Sequence, residues 1–486
     1  MIEFQNVSFS YGKEKTLGSL KNISLTIPNG QVVVFCGASG SGKTTMTRLV
    51  NGLIPHFFEG SLTGSCRIDG KNNSDIELWQ IAAKVGNVFQ NPRSQFFNVE
   101  VQSEVTFGCE NMGFPREECL KRCNEATKQV HIENLIGKSL FELSGGEKQK
   151  VACASAAAQG TDIIVLDEPT SNLDVRSISD LGEIIGQWKS EGKTVLIAEH
   201  RLKWLLPYAD RFICFKDGEI TADYQTNAFV NLFEDARRDF GLRAITPVVF
   251  EPRENVPPDD MIFIEKLSFS YRSQKMLDIE KLEIPMGMTI GVVGGNGAGK
   301  TTFARCLAGL NKAKGHISFH EDKSLSRKTR LNQIYVVFQD VNHQLFTEDL
   351  MEEMLLSMDT EDDNARETAH NVLDRLGLSA MEERHPLSLS GGQKQRAAIG
   401  SALVSGRPII IYDEPTSGLD YGYMTQFAEA LQICKEQGVT QLIVSHDPEL
   451  LNLVCDYCIA IENGKVVWDG PMNEENCGKL TSFFGE

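Results

Sequence analysis

Hydrophobic residues in this chain gather into short, dense runs separated by mixed stretches. QVVVFCG (31–37), DIIVLDE (162–168) and TVLIAEH (194–200) are almost unbroken apolar runs, and TIGVVGG (289–295), PIIIYDE (408–414) and QLIVSH (441–446) repeat them. A strand covered on both faces reads this way, because no side of it meets water. Helical segments lie between the runs, so the pattern predicts an α/β fold with a mostly parallel core sheet. Ligands are expected at the carboxyl ends of its strands. The first residues, MIEFQNVSFSYGKEK, alternate in polarity and carry Glu3, which predicts a first strand rather than a secretion leader.

The pattern also repeats on a larger scale. VSFSYGKEKTL (7–17) returns as LSFSYRSQKML (267–277), and VLDEPTSNLD (165–174) as IYDEPTSGLD (411–420). The offset falls from 260 residues at Tyr11/Tyr271 through 257 at Lys43/Lys300 and 249 at Gln90/Gln339 to 246 at Asp167/Asp413. A period of that length is a whole domain, so the chain reads as a fused pair. The expected division is a first domain over 1–244, a proline-rich linker over 245–260 and a second domain over 261–486.

Two glycine-rich stretches carry the first chemistry. GASGSGKTT (37–45) and GGNGAGKTT (294–302) each follow a predicted strand and open a predicted helix. Glycines at this spacing let successive backbone N–H groups surround phosphate oxygens at a helix N-terminus. The loops comprise Gly37, Ser39, Gly40, Gly42, Lys43, Thr44 and Thr45, then Gly294, Asn296, Gly297, Gly299, Lys300, Thr301 and Thr302. Lys43 and Lys300 are expected to reach the β and γ phosphates of a nucleotide, and Thr44 and Thr301 to hold Mg²⁺.

Asp167 and Asp413 end apolar strands, where a buried acid is costly unless it faces a cation or a donor. Glu168 and Glu414 follow them, so one carboxylate can order the Mg²⁺ shell while its neighbour orients or deprotonates water. His200 and His446 end the next strand, each 33 residues after its aspartate, and are expected near the γ-phosphate.

Composition excludes some roles. A formal charge of −18 argues against neutralising nucleic-acid phosphates over a broad surface. No apolar run approaches the roughly 18 residues of a membrane helix. The twelve cysteines show no paired spacing, and the one C-x-x-C, Cys455/Cys458, lies in the apolar run LVCDYCIAI, which predicts reduced buried thiols and a cytosolic chain.

LSGGEKQK (143–150) and LSGGQKQR (389–396) contain no obvious nucleophile. Ser144, Gly145, Gly146 and Ser390, Gly391, Gly392 read as a second anion site at a helix start. A serine N-cap with Glu147 or Gln393 three residues on also describes them, but it leaves the Gly-Gly pair unexplained.

With these motifs in place the chain resembles a tandem pair of ATP-binding-cassette (ABC) nucleotide-binding domains over essentially both halves. The resemblance implies P-loop NTPase domains, each with a mostly parallel core sheet, an antiparallel β subdomain and a helical subdomain. It assigns Gln90 and Gln339 to loops that sense Mg²⁺ and γ-phosphate. It makes Tyr11 and Tyr271 adenine-stacking residues, and marks the S-x-L-D turns at Ser171–Asp174 and Ser417–Asp420. It also implies that each signature completes the ATP site of the other half. Glu147, where glutamine is usual, places a negative charge near an anion site, which predicts unequal sites.

Three uses of such a pair compete. Chromosome-maintenance ATPases carry a long coiled coil or a zinc insertion, and neither pattern occurs between Lys43 and Ser144. Translation factors of the family carry a basic helical linker, whereas this join is short and proline-rich. The loop NVFQNPRSQFF (87–97), NGLIPHFFEG (51–60) and FQDVNHQLFTEDLMEEM (338–354) resemble the ATPases of energy-coupling factor (ECF) importers. That resemblance implies ATP-driven uptake of a vitamin or transition-metal ion. It implies a separate transmembrane scaffold and a substrate-capture subunit as partners, no nucleic acid, and a peripheral position on the cytoplasmic face of the cell membrane. Phe96 and Phe97 are expected to floor a groove for a partner helix, although strand alternation sends one of the two toward the core. The alternative is a soluble tandem ATPase acting on ribosomes.

Overall fold

The computed structural model describes residues 1–12, 19–171, 173–253, 258, 260–271, 274–319, 324–358, 364–416 and 418–485. Ser417 of the second S-x-L-D turn lies outside the described residues. The chain forms two compact units, Met1–Thr246 with Asp420–Gly422, and Pro247–Leu419 with Tyr423–Glu486.

In the first unit a six-stranded sheet runs in the order Glu219–Gln225, Arg211–Lys216, Val32–Gly37, Thr194–Ala198, Ile163–Asp167 and Val85–Val88. Only the pair Glu219–Gln225/Arg211–Lys216 is antiparallel; the other neighbours are parallel. The dense apolar runs are explained by the two layers they separate. Val32, Val34 and Cys36 face a core shared with Val151, Ile184 and Trp188, whereas Val33 and Phe35 face a core shared with Ile2, Phe4 and Met46. The second layer is an antiparallel sheet, Leu20–Ile27, Ile2–Tyr11, Gly60–Ile68 and Lys71–Asn72. The helices Val101–Asn111, Arg116–Gln129 and Gly145–Gln159 pack together as a helical subdomain.

The second unit repeats the plan. Its six strands run Ile334–Val337, Ile409–Asp413, Thr440–Val444, Thr289–Val293, Tyr457–Glu462 and Lys465–Pro471, with only the last pair antiparallel. The smaller sheet has three strands, Gln274–Pro285, Met261–Tyr271 and Lys314–Phe319. Part of the proline-rich join is anchored here. Phe250 is buried and stacks on Phe484 at 5.9 Å, and the Arg253 amide donates to the Met472 carbonyl at 2.7 Å.

All twelve cysteines are free and buried. Burial pushes the Cys153 thiol up to about 12, so it behaves as a small apolar side chain. No helix among the described residues is long and apolar enough to cross a membrane.

Candidate nucleotide site

Each glycine-rich loop turns at the carboxyl end of the strand that precedes it. Gly37 and Gly294 have φ of 142° and 153°, and a Cβ on either would sit 2.2 Å from a carbonyl oxygen, that of Phe215 or Ile461. Only glycine fits there. Gly42 and Gly299 cap the helices Lys43–Val50 and Lys300–Leu307 with φ of 110° and 107°. Gly40 and Gly297 also have positive φ and are exposed with Asn296, while Ser39 is half-buried. The Lys43 ammonium is folded into its loop and donates to the Gly37 and Ala38 carbonyls, both at 2.9 Å. Burial lowers its pKa. The cradle of left-handed glycines, a buried ammonium at its centre and a helix start fit the phosphates of a nucleotide.

The threonine hydroxyls reach the strand-end aspartates. Thr44 donates to Asp167 Oδ1 at 3.0 Å and Thr301 to Asp413 Oδ1 at 2.8 Å. A hydroxyl and a carboxylate this close, at the mouth of a phosphate cradle, suit the oxygen donors that Mg²⁺ prefers. Thr45 and Thr302, next in each helix, are buried.

Burial, with Glu168 next door, pushes Asp167 up to about 7, and burial raises Asp413 as well. Glu168 and Glu414 sit in left-handed backbone, with φ of 42° and 50°. A glutamate held there is strained, and the strain is maintained by the ladder bond from its own amide to Ala198 or Val444, 2.8 Å in both halves.

Around Glu168 the sequence-derived set comes together. Gln90 Nε2 donates to Glu168 Oε2 at 2.8 Å, and His200 Nε2 lies 3.1 Å from Glu168 Oε1. Burial, then the Lys43 charge, pushes His200 down to about 3, so the ring beside Glu168 is neutral. The second unit differs. His446 Nε2 accepts from the Lys300 ammonium at 2.8 Å and stands 3.4 Å from Glu414 Oε1. Equivalent histidines therefore meet different partners in the two units, the glutamate in one and chiefly the P-loop lysine in the other. Gln339 occupies the strand-end position matching Gln90 and is exposed.

The loop beyond Gln90 is held by residues the motif reading passed over. Gln95 accepts from the Phe89 amide at 3.0 Å and donates to the Asn87 carbonyl at 2.9 Å, closing the loop on itself. Gln344 makes the same pair with Phe338 and Val336 at 3.2 and 3.0 Å. Buried Glu104 accepts from the Phe97 and Asn98 amides at 3.0 and 2.8 Å, and buried Glu353 from Phe346 and Thr347 at 3.0 and 3.2 Å. The available signal was spacing: a second glutamine 5 residues after Gln90 and Gln339, and a glutamate 14 residues after each. The loss of Asn91 and Pro92 in half two costs little, because Asp340 accepts from the Asn342 amide as Asn91 does from Arg93, both at 3.0 Å. The aromatics divide. Phe96 packs against the core, and Phe97 is 77% exposed and stacked on Phe107 at 5.1 Å.

The signature residues form a capping box in each half. Ser144 and Ser390 each accept from the N3 amide at 3.3 Å. Ser144 also gives its hydroxyl proton to the Glu147 carboxylate at 2.8 Å. The second glycine is explained by packing. A Cβ at Gly146 would meet Ser177 Oγ at 2.4 Å, and at Gly392 would meet the Tyr423 ring at 2.1 Å. Gly391 faces open space, and Gly145 is exposed.

The Tyr11 hydroxyl stands 3.2 Å from Thr45 Oγ1 and accepts from Arg48 at 2.9 Å. Arg48 in turn lies over the Phe58 ring at 4.1 Å, which gives part of NGLIPHFFEG a local structural role. Tyr271 is 47% exposed, and its hydroxyl accepts from the Asn311 side-chain amide at 3.3 Å. Among the described residues no group of three or more His, Cys, Asp or Glu side chains forms a metal cluster.

Comparison with known proteins gives consistent matches. A family profile described as ABC transporter matches residues 20–171 and again 277–417. A putative ABC transporter ATP-binding protein of Treponema denticola is 44% identical over 99% of this chain and 98% of its own length. One from Clostridium perfringens is 33% identical over 96% of this chain and 90% of its own length. Two solved tandem structures share the fold. The archaeal ribosome recycling factor in complex with the ribosomal stalk protein has a TM-score of 0.65 at 23% identity, covering 98% of this chain and 92% of that one. The RNase-L inhibitor has a TM-score of 0.64 at 22% identity, covering 99% and 93%.

These matches correct one expectation. The partners inferred from the loop, a transmembrane scaffold and a capture subunit with no nucleic acid, are not what the solved tandem chains were found with: one is bound to the ribosomal stalk protein and another is ribosome-bound. Phe96 packs into its own unit's core, as strand alternation allowed for one of the pair, and of the two only Phe97 stays exposed.

Proposed function

Because the chain belongs to the ABC transporter family and carries two of its ATPase domains in one polypeptide, we propose that it is a motor. It binds Mg-ATP at both phosphate loops and uses hydrolysis to move a macromolecular partner. The observation that carries this reading is the repeated convergence of a P-loop lysine, a threonine–aspartate pair, a strained glutamate and a histidine at the ends of parallel strands. Bound Mg²⁺ would be held by Thr44 with Asp167 and by Thr301 with Asp413, and would neutralise phosphate charge. Glu168 and Glu414 then orient water, with His200 and His446 fixing those carboxylates or the P-loop lysine.

Two uses of the motor are separable. Action on ribosomes in translation is supported by the solved tandem chains, which resemble this one over nearly its whole length. At a charge of −18 the surface met there would be a ribosomal protein rather than bare phosphate. Transport is supported by the names of the full-length relatives, which say ABC transporter ATP-binding protein; its narrowing to uptake of a vitamin or metal ion, as in energy-coupling factor importers, rests on the loop residues Gln90–Phe97 alone. In both uses the chain works on the cytoplasmic side.

A tagged chain carrying Glu168→Gln and Glu414→Gln, held in ATP, decides between them. Co-sedimentation with ribosomal particles supports translation, and flotation with membrane vesicles supports transport. Absence of ATPase activity in the wild-type chain would sink the motor itself.

A further inference from the structure

The turn carrying the strand-end glutamate and the turn carrying the histidine are joined by a buried bridge that the motifs do not include. In half one Thr170, two residues after Glu168, donates its hydroxyl to Glu199 Oε2 at 2.7 Å. The other oxygen of Glu199 accepts the His200 and Arg201 amides at 2.7 and 3.1 Å. In half two Thr416 donates to Asp447 Oδ2 at 2.8 Å, and Asp447 Oδ1 accepts the Leu450 amide at 3.3 Å.

Thr170 and Thr416 are equivalent, at an offset of 246, but the acids are not. Glu199 precedes its histidine and corresponds to Ser445; Asp447 follows its histidine and corresponds to Arg201. The carboxylate has moved two places along the chain and still meets the same hydroxyl. Thr170, Glu199, Thr416 and Asp447 are all at most 3% exposed. A carboxylate at such depth is costly unless its oxygens are occupied, and an apolar residue would fill the space without that cost. Its retention in both halves, by different routes, points to a task for the bridge.

We infer that Glu199 and Asp447 are positioning residues, which fix the distance between the glutamate turn and the histidine turn through Thr170 and Thr416. The histidine ring reaches its target only if the two turns keep register. In half one that target is Glu168, two residues from the bridge. In half two the ring spans Glu414 and Lys300.

The inference rests on the reading that Glu168 and Glu414, with their histidines, act at the γ-phosphate. Full-length protein with Glu199→Gln and Asp447→Asn should lose about tenfold in kcat, with KM for ATP within about twofold of wild type. Thr170→Val with Thr416→Val breaks the same bridges from the other side and should reproduce the loss, so failure of the acid variants to fold leaves the test intact. Transplanting the half-two arrangement, Glu199→Ser with Arg201→Asp, should run faster than Glu199→Ser alone. Retained kcat in the threonine pair, or a transplant no faster than Glu199→Ser, overturns the inference. Glu168→Gln with Glu414→Gln serves as the reference. If that variant keeps turnover, the reading of the site has failed; if it loses turnover while the bridge variants keep theirs, only the bridge has.

Discussion

A single strained glutamate sets the electrostatics of the first site. Burial raises Glu168 from 4.5 to about 7 even though Lys43 pulls it the other way. An acid raised on folding holds its proton more tightly in the native state. Its stabilising contribution is therefore present below pH 4.5 and is lost as the pH climbs through about 7. The upper bound is about 3 kcal/mol. Nucleotide-free protein should lose melting temperature between pH 5 and pH 8, and Glu168→Gln, which cannot ionise, should flatten that slope in a thermal scan. The histidines should also separate experimentally. His200 touches the glutamate, so His200→Ala should act on kcat, whereas His446 holds the P-loop lysine, so His446→Ala should act on nucleotide affinity. Equal effects of the two substitutions on both parameters would refute the difference. The positions of these residues were legible in the sequence because the motifs are local. Their backbone strain and hydrogen-bond partners were not, since these depend on residues distant in the chain: Ala198 and His200 for Glu168, and Lys300 for His446.

At the scale of elements, the strands were the most legible feature. Continuous apolar runs matched the doubly covered sheets, because each such run feeds two cores through alternate side chains. The loop after Gln90 was only half legible. Alternation said that one phenylalanine turns inward, but only packing shows that it is Phe96. Phe96→Asp should accordingly destabilise the fold by about 2 kcal/mol or more, whereas Phe97→Asp should fall within about 0.5 kcal/mol. Chemical denaturation distinguishes these outcomes. The carboxylate beneath the tip makes a separate prediction. Glu104→Ala strands two amides, so the Phe97 and Asn98 amides should exchange with deuterium at least about tenfold faster, while the Val32–Gly37 strand keeps its protection. Glu104 escaped the sequence reading because a glutamate in an amphipathic helix gives no sign of facing a loop.

For the whole molecule, duplication was the plainest message of the sequence, and the two repeated sheets follow it. The join was less plain. Its prolines and charges suggested a linker, but Phe250 and Arg253 tie its middle to the second unit through contacts with Phe484, Met472 and Asn452. Composition cannot reveal an anchor formed by two residues. The surface combines a charge of −18 with exposed Phe57, Phe97, Phe141, Phe233 and Phe346. Repulsion between copies keeps such aromatics apart only while it is unscreened, and the Debye length falls from about 10 Å at 0.1 M salt to about 3 Å at 1 M. Light scattering should therefore show self-association rising with salt.

The displaced carboxylate has a historical implication. Two copies that began identical cannot exchange an acid before the histidine for one after it in a single substitution. An ancestor of one half must have carried both acids together or neither. The doubled intermediate would crowd two negative charges around one threonine hydroxyl, and the empty one would leave that hydroxyl unanswered. Reconstructing both intermediates in half one, by Arg201→Asp alone and by Glu199→Ser alone, would show which route is the less damaging. Comparisons that score each alignment column separately will record positions 199 and 201 as variable, although what has been kept is a point in space.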